Sequence, residues 1–169
     1  APSLAEQLDT YLAQLEEEHF KPIDYICGGT VISSEFIQKR YNAYKSRPIM
    51  RRFGEIANDI IELVKNERFQ DTKIPTKLEI KKKLRAMFKI NDMLDLYSDF
   101  YDSIGRQDLF QVTSKNTLEW PDVFPYLYLQ MAVEGFDKIT VIRHLVIDEM
   151  QDYTPIQYAV IQKLFCCNM

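Results

Sequence analysis

The sequence predicts a mainly α-helical chain that carries one short α/β piece near its C-terminal end. Three observations point there. Only five glycines occur in 169 residues, apolar side chains recur at helical spacing over most of the length, and one continuous apolar run at 139–147 leads into an acidic turn and a new helix signal.

Taken in order, residues 4–19 align Leu4, Leu8, Tyr11, Leu12 and Leu15 against a polar Glu16 to Glu18, an amphipathic helix that ends near Pro22. A short apolar stretch, Ile23 to Cys27, then meets Gly28-Gly29, read as a loop. Ser33 is the expected N-cap of a helix over 34–46, and Pro48 separates it from a third helix over 49–66. Thr76-Lys77-Leu78-Glu79 has the form of a capping box, in which Thr and Glu side chains satisfy two orphaned amides. The helix it opens gathers Lys77, Lys81, Lys82, Lys83, Arg85 and Lys89 around Leu78, Ile80, Leu84 and Phe88. Such a helix is a nucleic-acid candidate, because lysines along a phosphate backbone release counterions. The competing reading is the solvated face of an ordinary amphipathic helix.

A further helix is expected over 91–104. Tyr97, Tyr101, Tyr126 and Tyr128 sit at helical spacing beside Leu and Met, which favours a packed core over base-stacking platforms. Trp120-Pro121-Asp122 starts a helix that runs to Glu134 and stops at Gly135; Pro125 fits it only within the first turn.

Composition narrows the classes. A net charge of −4 gives no global attraction to nucleic acid, so any such contact needs a local basic face. No apolar run approaches a membrane span, and Ala1-Pro2-Ser3-Leu4 has neither an initiator Met nor a secretory pattern. A cytoplasmic origin is the expectation. Cys27, Cys166 and Cys167 form no CxxC pair, and with His19 and His144 they supply too few ligands for zinc, so buried reduced thiols are expected.

The chemistry concentrates at one place. Residues 139–147 read as a parallel strand buried on both faces, and its C-terminal end delivers Asp148 and Glu149. Thr154-Pro155-Ile156-Gln157 combines a capping box with Pro at the first helical position, so a helix should run from Pro155 to about Phe165. Open α/β sheets bind ligands at the carboxyl ends of their strands. Two adjacent carboxylates there suit a hard cation such as Mg2+, which takes oxygen ligands, keeps waters and bridges to nucleotide phosphates. One acid can hold the ion while the other orients or deprotonates water, and Gln151, both donor and acceptor, suits a terminal phosphate. An ordinary acidic turn ahead of a helix N-terminus is the plainer alternative.

The string HLVIDEMQDYTPIQ resembles motif II, the Walker B region, of the UvrD/Rep class of superfamily 1 helicases. It is closest to the HelD family, whose members typically carry an aromatic where Tyr153 stands. The preceding LEWPDVFPYLYLQMAVEG is similar to the helix leading into that motif, with Asp122 in its acidic position. The resemblance is specific over 117–165 and diffuse over 1–116. It implies a cytoplasmic ATP-driven motor of RecA-like domains with helical insertions, acting on DNA and, in HelD-type proteins, on RNA polymerase. Asp148 would bind Mg2+, Glu149 would activate water and touch the ion through it, and Gln151 would contact ATP and couple its γ-phosphate to motion. Residues 1–116 would be a helical insertion and 117–169 part of the RecA-like motor domain.

The departure from that family is equally specific. No GxxxxGK[ST] loop occurs in the chain, and Gly28-Gly29-Thr30 lacks the spacing and the Lys of a phosphate cradle. The expectation is an internal segment of a larger protein that by itself neither binds ATP well nor hydrolyses it. Within the same chemistry the alternative is a UvrD/Rep-type DNA-unwinding enzyme; from another class, a helical protein-interaction module whose acidic turn is incidental. The apolar strand, lacking its sheet neighbours, should pair locally, join a second copy in a dimer through 139–147, or lose its strand form.

Overall fold

Local capping signals set the helix boundaries. The computed structural model describes residues 2–67, 73–90, 92–110 and 117–165. Among them are α1 (Leu4–Glu18), α2 (Ser34–Ala43), α3 (Ile49–Asn66), α4 (Lys77–Ala86), α5 (Met93–Ser103), α6 (Trp120–Val133) and α7 (Pro155–Leu164), with β1 (Tyr25–Cys27) and β2 (Thr30–Ile32). The chain is thus mainly helical with a small antiparallel sheet. Ser33 Oγ accepts the Phe36 N–H at the start of α2, as a side-chain cap should. The Thr76–Glu79 box closes in both directions, with Glu79 N–H to Thr76 Oγ1 at 3.3 Å and Thr76 N–H to Glu79 Oε2 at 2.7 Å. Asp92 Oδ1 caps α5 through the amides of Leu94 and Asp95.

Four expectations are corrected. Gly28-Gly29 is the two-residue turn of a hairpin, with φ of 56° and 85°. Two positive-φ residues in succession make the turn whose twist matches the flanking strands. A Cβ on Gly28 would also come within 2.9 Å of Val64 Cγ1. Pro125 lies beyond the first turn of α6, inside the helix, where it has no N–H to give the Pro121 carbonyl. Leu78 is 61% exposed and does not join Ile80 and Leu84 in the core, because its step around α4 turns it to solvent. Finally, 139–147 is not the strand buried on both faces that its composition suggests but lacks regular strand form, one of the outcomes expected for it in this chain; it carries isolated bridges at Ile139, which pairs in parallel with Phe165, and at His144. A strand persists only where ladder partners satisfy its amides and carbonyls.

The chain divides into two compact units, residues 1–13 with 92–169, and residues 14–91.

In the first unit Leu8, Tyr11, Leu96, Tyr97, Phe100, Leu129, Val133 and Val160 are buried. Tyr11 Oη lies 3.1 Å from the Leu96 carbonyl and 2.8 Å from Asp99 Oδ2, and Tyr128 Oη donates to Asp9 Oδ1 at 2.7 Å. The tyrosines therefore pack as core residues whose hydroxyls find partners; Tyr126 is half-buried.

In the second unit α3 is the centre, burying Phe53, Ile56, Ala57, Ile60 and Val64 along one face. Phe20 stacks on Tyr41 with centroids 4.3 Å apart. A bridge between Phe20 and Phe88, with Lys89 N–H to the His19 carbonyl at 2.8 Å, ties the chain after α1 to the chain after α4. Cys27 is a buried free thiol, as expected; Cys166 and Cys167 lie outside the described residues. Arg52 is also buried, its Nη2 on Glu16 Oε1 at 2.6 Å and on the Lys45 carbonyl, its Nε on the Arg47 carbonyl.

Candidate functional site

The acidic turn at 148–152 is built from the segment before it and the helix after it. Ile139 N–H donates to the Leu164 carbonyl at 2.9 Å, so 139–147 leaves from beside the end of α7. At the far end, Thr154 Oγ1 accepts the Gln157 N–H and Gln157 Oε1 accepts the Thr154 N–H at 2.7 Å, starting α7 where the sequence places it. Between them Met150–Asp152 is a single 3-10 turn, closed by Asp152 N–H to the Glu149 carbonyl at 2.9 Å. Tyr153 and Tyr158 rings lie 5.9 Å apart beside it, and Tyr158 Oη reaches the Met150 carbonyl.

Glu149 holds φ 51° and ψ 46°, and among the described residues it is the non-glycine with positive φ. A left-handed backbone costs a residue with a Cβ about 1–2 kcal/mol, and such positions gather at functional turns. Asp148 Oδ1 accepts the Glu149 N–H at 2.9 Å, and the Gln151 amide donates to Glu149 Oε2. Asp148, Glu149, Gln151 and Asp152 are all exposed. Asp148, Glu149 and Gln151, the three residues assigned to Mg2+ and ATP, thus form one hydrogen-bonded run.

The carboxylates do not converge on a closed cage. Among the described residues no group of three or more His, Cys, Asp or Glu side chains is arranged to hold a metal ion. Their chemistry nonetheless fits Mg2+, which is commonly held by one or two carboxylates with waters and phosphates completing the shell. Beside the turn lies an open cavity of about 630 Å3 walled by Leu145, Val146, Ile147, Met150 and Tyr158. Val141 and Val146 are 87% and 89% exposed, whereas Ile139, Ile142, Leu145 and Ile147 are half-buried.

Asp122 lies elsewhere in the same unit, buried at the first turn of α6. Its Oδ1 accepts from Tyr97 Oη at 2.8 Å and Tyr101 Oη at 3.3 Å, and the two hydroxyls are 3.2 Å apart. Burial first, and the Asp122 carboxylate with it, push both phenols above the usual tyrosine range, although the bond from Tyr97 partly offsets this at Tyr101. The signal for this cluster was present in the sequence, since Tyr97 and Tyr101 are four apart on one helix face.

Lys77 lies over α3, its Cε 3.8 Å from where a Cβ on Gly54 would stand, and Lys83 turns toward the β-hairpin. Lys77, Lys82, Lys83, Arg85 and Lys89 are exposed and Lys81 half-buried. Among the described residues no helix is long and apolar enough to cross a membrane. No known protein-family model matches this chain, and neither a curated protein nor a solved structure matches it.

Proposed function

We propose that this chain is an internal segment of a cytoplasmic, ATP-dependent superfamily 1 helicase-type motor of the HelD-like class, acting on DNA and RNA polymerase, with the acidic turn as its Mg-ATP motif. One observation carries the reading. Ile139 pairs in parallel with Phe165 across the intervening acidic turn and α7. A parallel pairing closed by a helix is the start of a β-α-β crossover, and ligands in such sheets meet the turn between strand and helix. Here that turn bears Asp148, Glu149 and Gln151.

In this proposal Asp148 holds Mg2+, Glu149 accepts a proton from the attacking water, and Gln151 senses the terminal phosphate. The ion's contribution, when bound, is to offset phosphate charge. The Gln151 amide, which donates to Glu149 Oε2, lies beside the proposed general base. The exposed Lys82, Arg85 and Lys89 favour nucleic acid as a partner and keep a DNA-unwinding enzyme of the UvrD/Rep type as the second reading.

The test uses the intact parent protein. Glu149→Gln should lower ATP turnover by about 10²-fold or more while nucleotide binding persists, the usual cost of removing a general base. Undiminished turnover would return the turn to a plain helix-leading loop. Calorimetry of the 169-residue chain with Mg-ATP should show no low-micromolar binding, because the phosphate cradle is missing from it.

A further inference from the structure

The hairpin register sets Ile26 opposite Val31 on the outward face while Cys27 and Ile32 point inward. The outward pair is 70% and 62% exposed, and Ile23 beside it is 64% exposed. Two depressions flank this ridge, about 370 Å3 toward the start of α4 and about 760 Å3 toward its end, and they share Tyr25, Ile26 and Lys83. Lys73 borders the first and Lys21 the second.

The charges along this groove are unequally engaged. Asp24 Oδ1 accepts the Ser34 N–H at 2.7 Å, and Glu79 is held by both bonds of the Thr76 box. Among the described residues neither Lys21 nor Lys83 has a carboxylate within ion-pair distance. The groove therefore offers branched aliphatic side chains framed by uncommitted ammonium groups.

We propose that the groove between the hairpin and α4 docks an acidic, aliphatic-rich peptide segment of a partner protein. Aliphatic side chains recover their exposed area only against other apolar groups, and the rim lysines select carboxylates. Nucleic acid is the poorer occupant, because bases stack on aromatic faces and the most exposed residues here are the aliphatic Ile23, Ile26 and Val31, with half-buried Tyr25 the aromatic that lines the two depressions. The proposal is independent of the ATPase reading, since no residue of 148–152 takes part.

The experiment titrates the 169-residue chain with a fluorescent synthetic Glu/Leu peptide, a poly-glutamate peptide and oligo-thymidylate. The Glu/Leu peptide should bind saturably and more tightly than poly-glutamate. Ile26→Ser and Val31→Ser should each weaken it about tenfold, the value of one aliphatic side chain buried in a contact. Lys83→Glu should weaken it and flatten its salt dependence. Circular dichroism of all three variants should match the parent chain, because the side chains face solvent. Absence of Glu/Leu binding, equal binding of poly-glutamate, or binding indifferent to Ile26→Ser and Val31→Ser would overturn the proposal. Oligo-thymidylate binding tighter than the peptide and lost with Lys83→Glu would assign the groove to nucleic acid instead.

Discussion

Replacing Glu16 by Gln should destabilise the chain by about 2–3 kcal/mol, more than replacing Arg52 by Met. The Arg52 guanidinium has 2% of its side chain exposed and meets Glu16 at 2.6 Å. At an effective dielectric of about 20 that separation corresponds to roughly 6 kcal/mol of gross attraction. Glu16 is itself 29% exposed, so water screens part of it, and Gln can still accept one neutral hydrogen bond of about 1 kcal/mol. What remains is the cost of a buried cation without its counterion. Arg52→Met removes that cation altogether, along with Nη1, which has no hydrogen-bond acceptor among the described residues. The carbonyls of Lys45 and Arg47 lose a donor but belong to exposed residues that water can reach. Equilibrium urea unfolding of the two variants measures the difference. A Glu16→Gln cost below about 0.5 kcal/mol, or an Arg52→Met cost larger than that of Glu16→Gln, would refute the reasoning.

Three further outcomes are expected. Glu149→Gly should raise stability by up to about 1 kcal/mol, since glycine adopts the left-handed φ without a Cβ clash, and Glu149→Val should lower it; denaturant midpoints decide. Burial pushes the Tyr41 phenol up to about 12, against an opposing effect of Arg52, so the folded state favours the neutral form. Its contribution, on the order of 2 kcal/mol, is complete below pH 10 and is lost as pH rises from 10 through 12. Tyr41→Phe should therefore move alkaline unfolding, followed by circular dichroism, to higher pH. In the intact parent, Lys81→Glu with Lys82→Glu should reduce the salt slope of DNA binding by about 2 if both contact phosphates. An unchanged slope would leave α4 as a solvated face.

Much of the helical framework was readable because its signals are local. Ser33, Thr76 and Thr154 each cap the helix that follows, and each lies within three residues of the amide it satisfies. The apolar spacing over 49–66 marks α3 end to end for the same reason. Gly28-Gly29 was also legible as a hairpin, since a Gly pair between short apolar runs is a turn signal, and reading it as a loop missed the β1–β2 ridge.

Other features depend on residues distant in sequence. Arg51 and Arg52 are adjacent and chemically alike, yet one is exposed and the other buried. The rotation of α3 sets their different directions, and Glu16, thirty-six residues away, supplies the charge that Arg52 needs inside. The run at 139–147 has the composition of a central strand, but composition does not provide a neighbour; the segment gains isolated bridges at Ile139 and His144 and no continuous ladder. By itself the sequence determined the helices, their caps and the acidic turn, because propensity and capping act over a few residues. Tertiary structure alone decided which charge is buried and how far the apolar segment is paired, because desolvation and strand pairing depend on groups that the chain brings together only by folding.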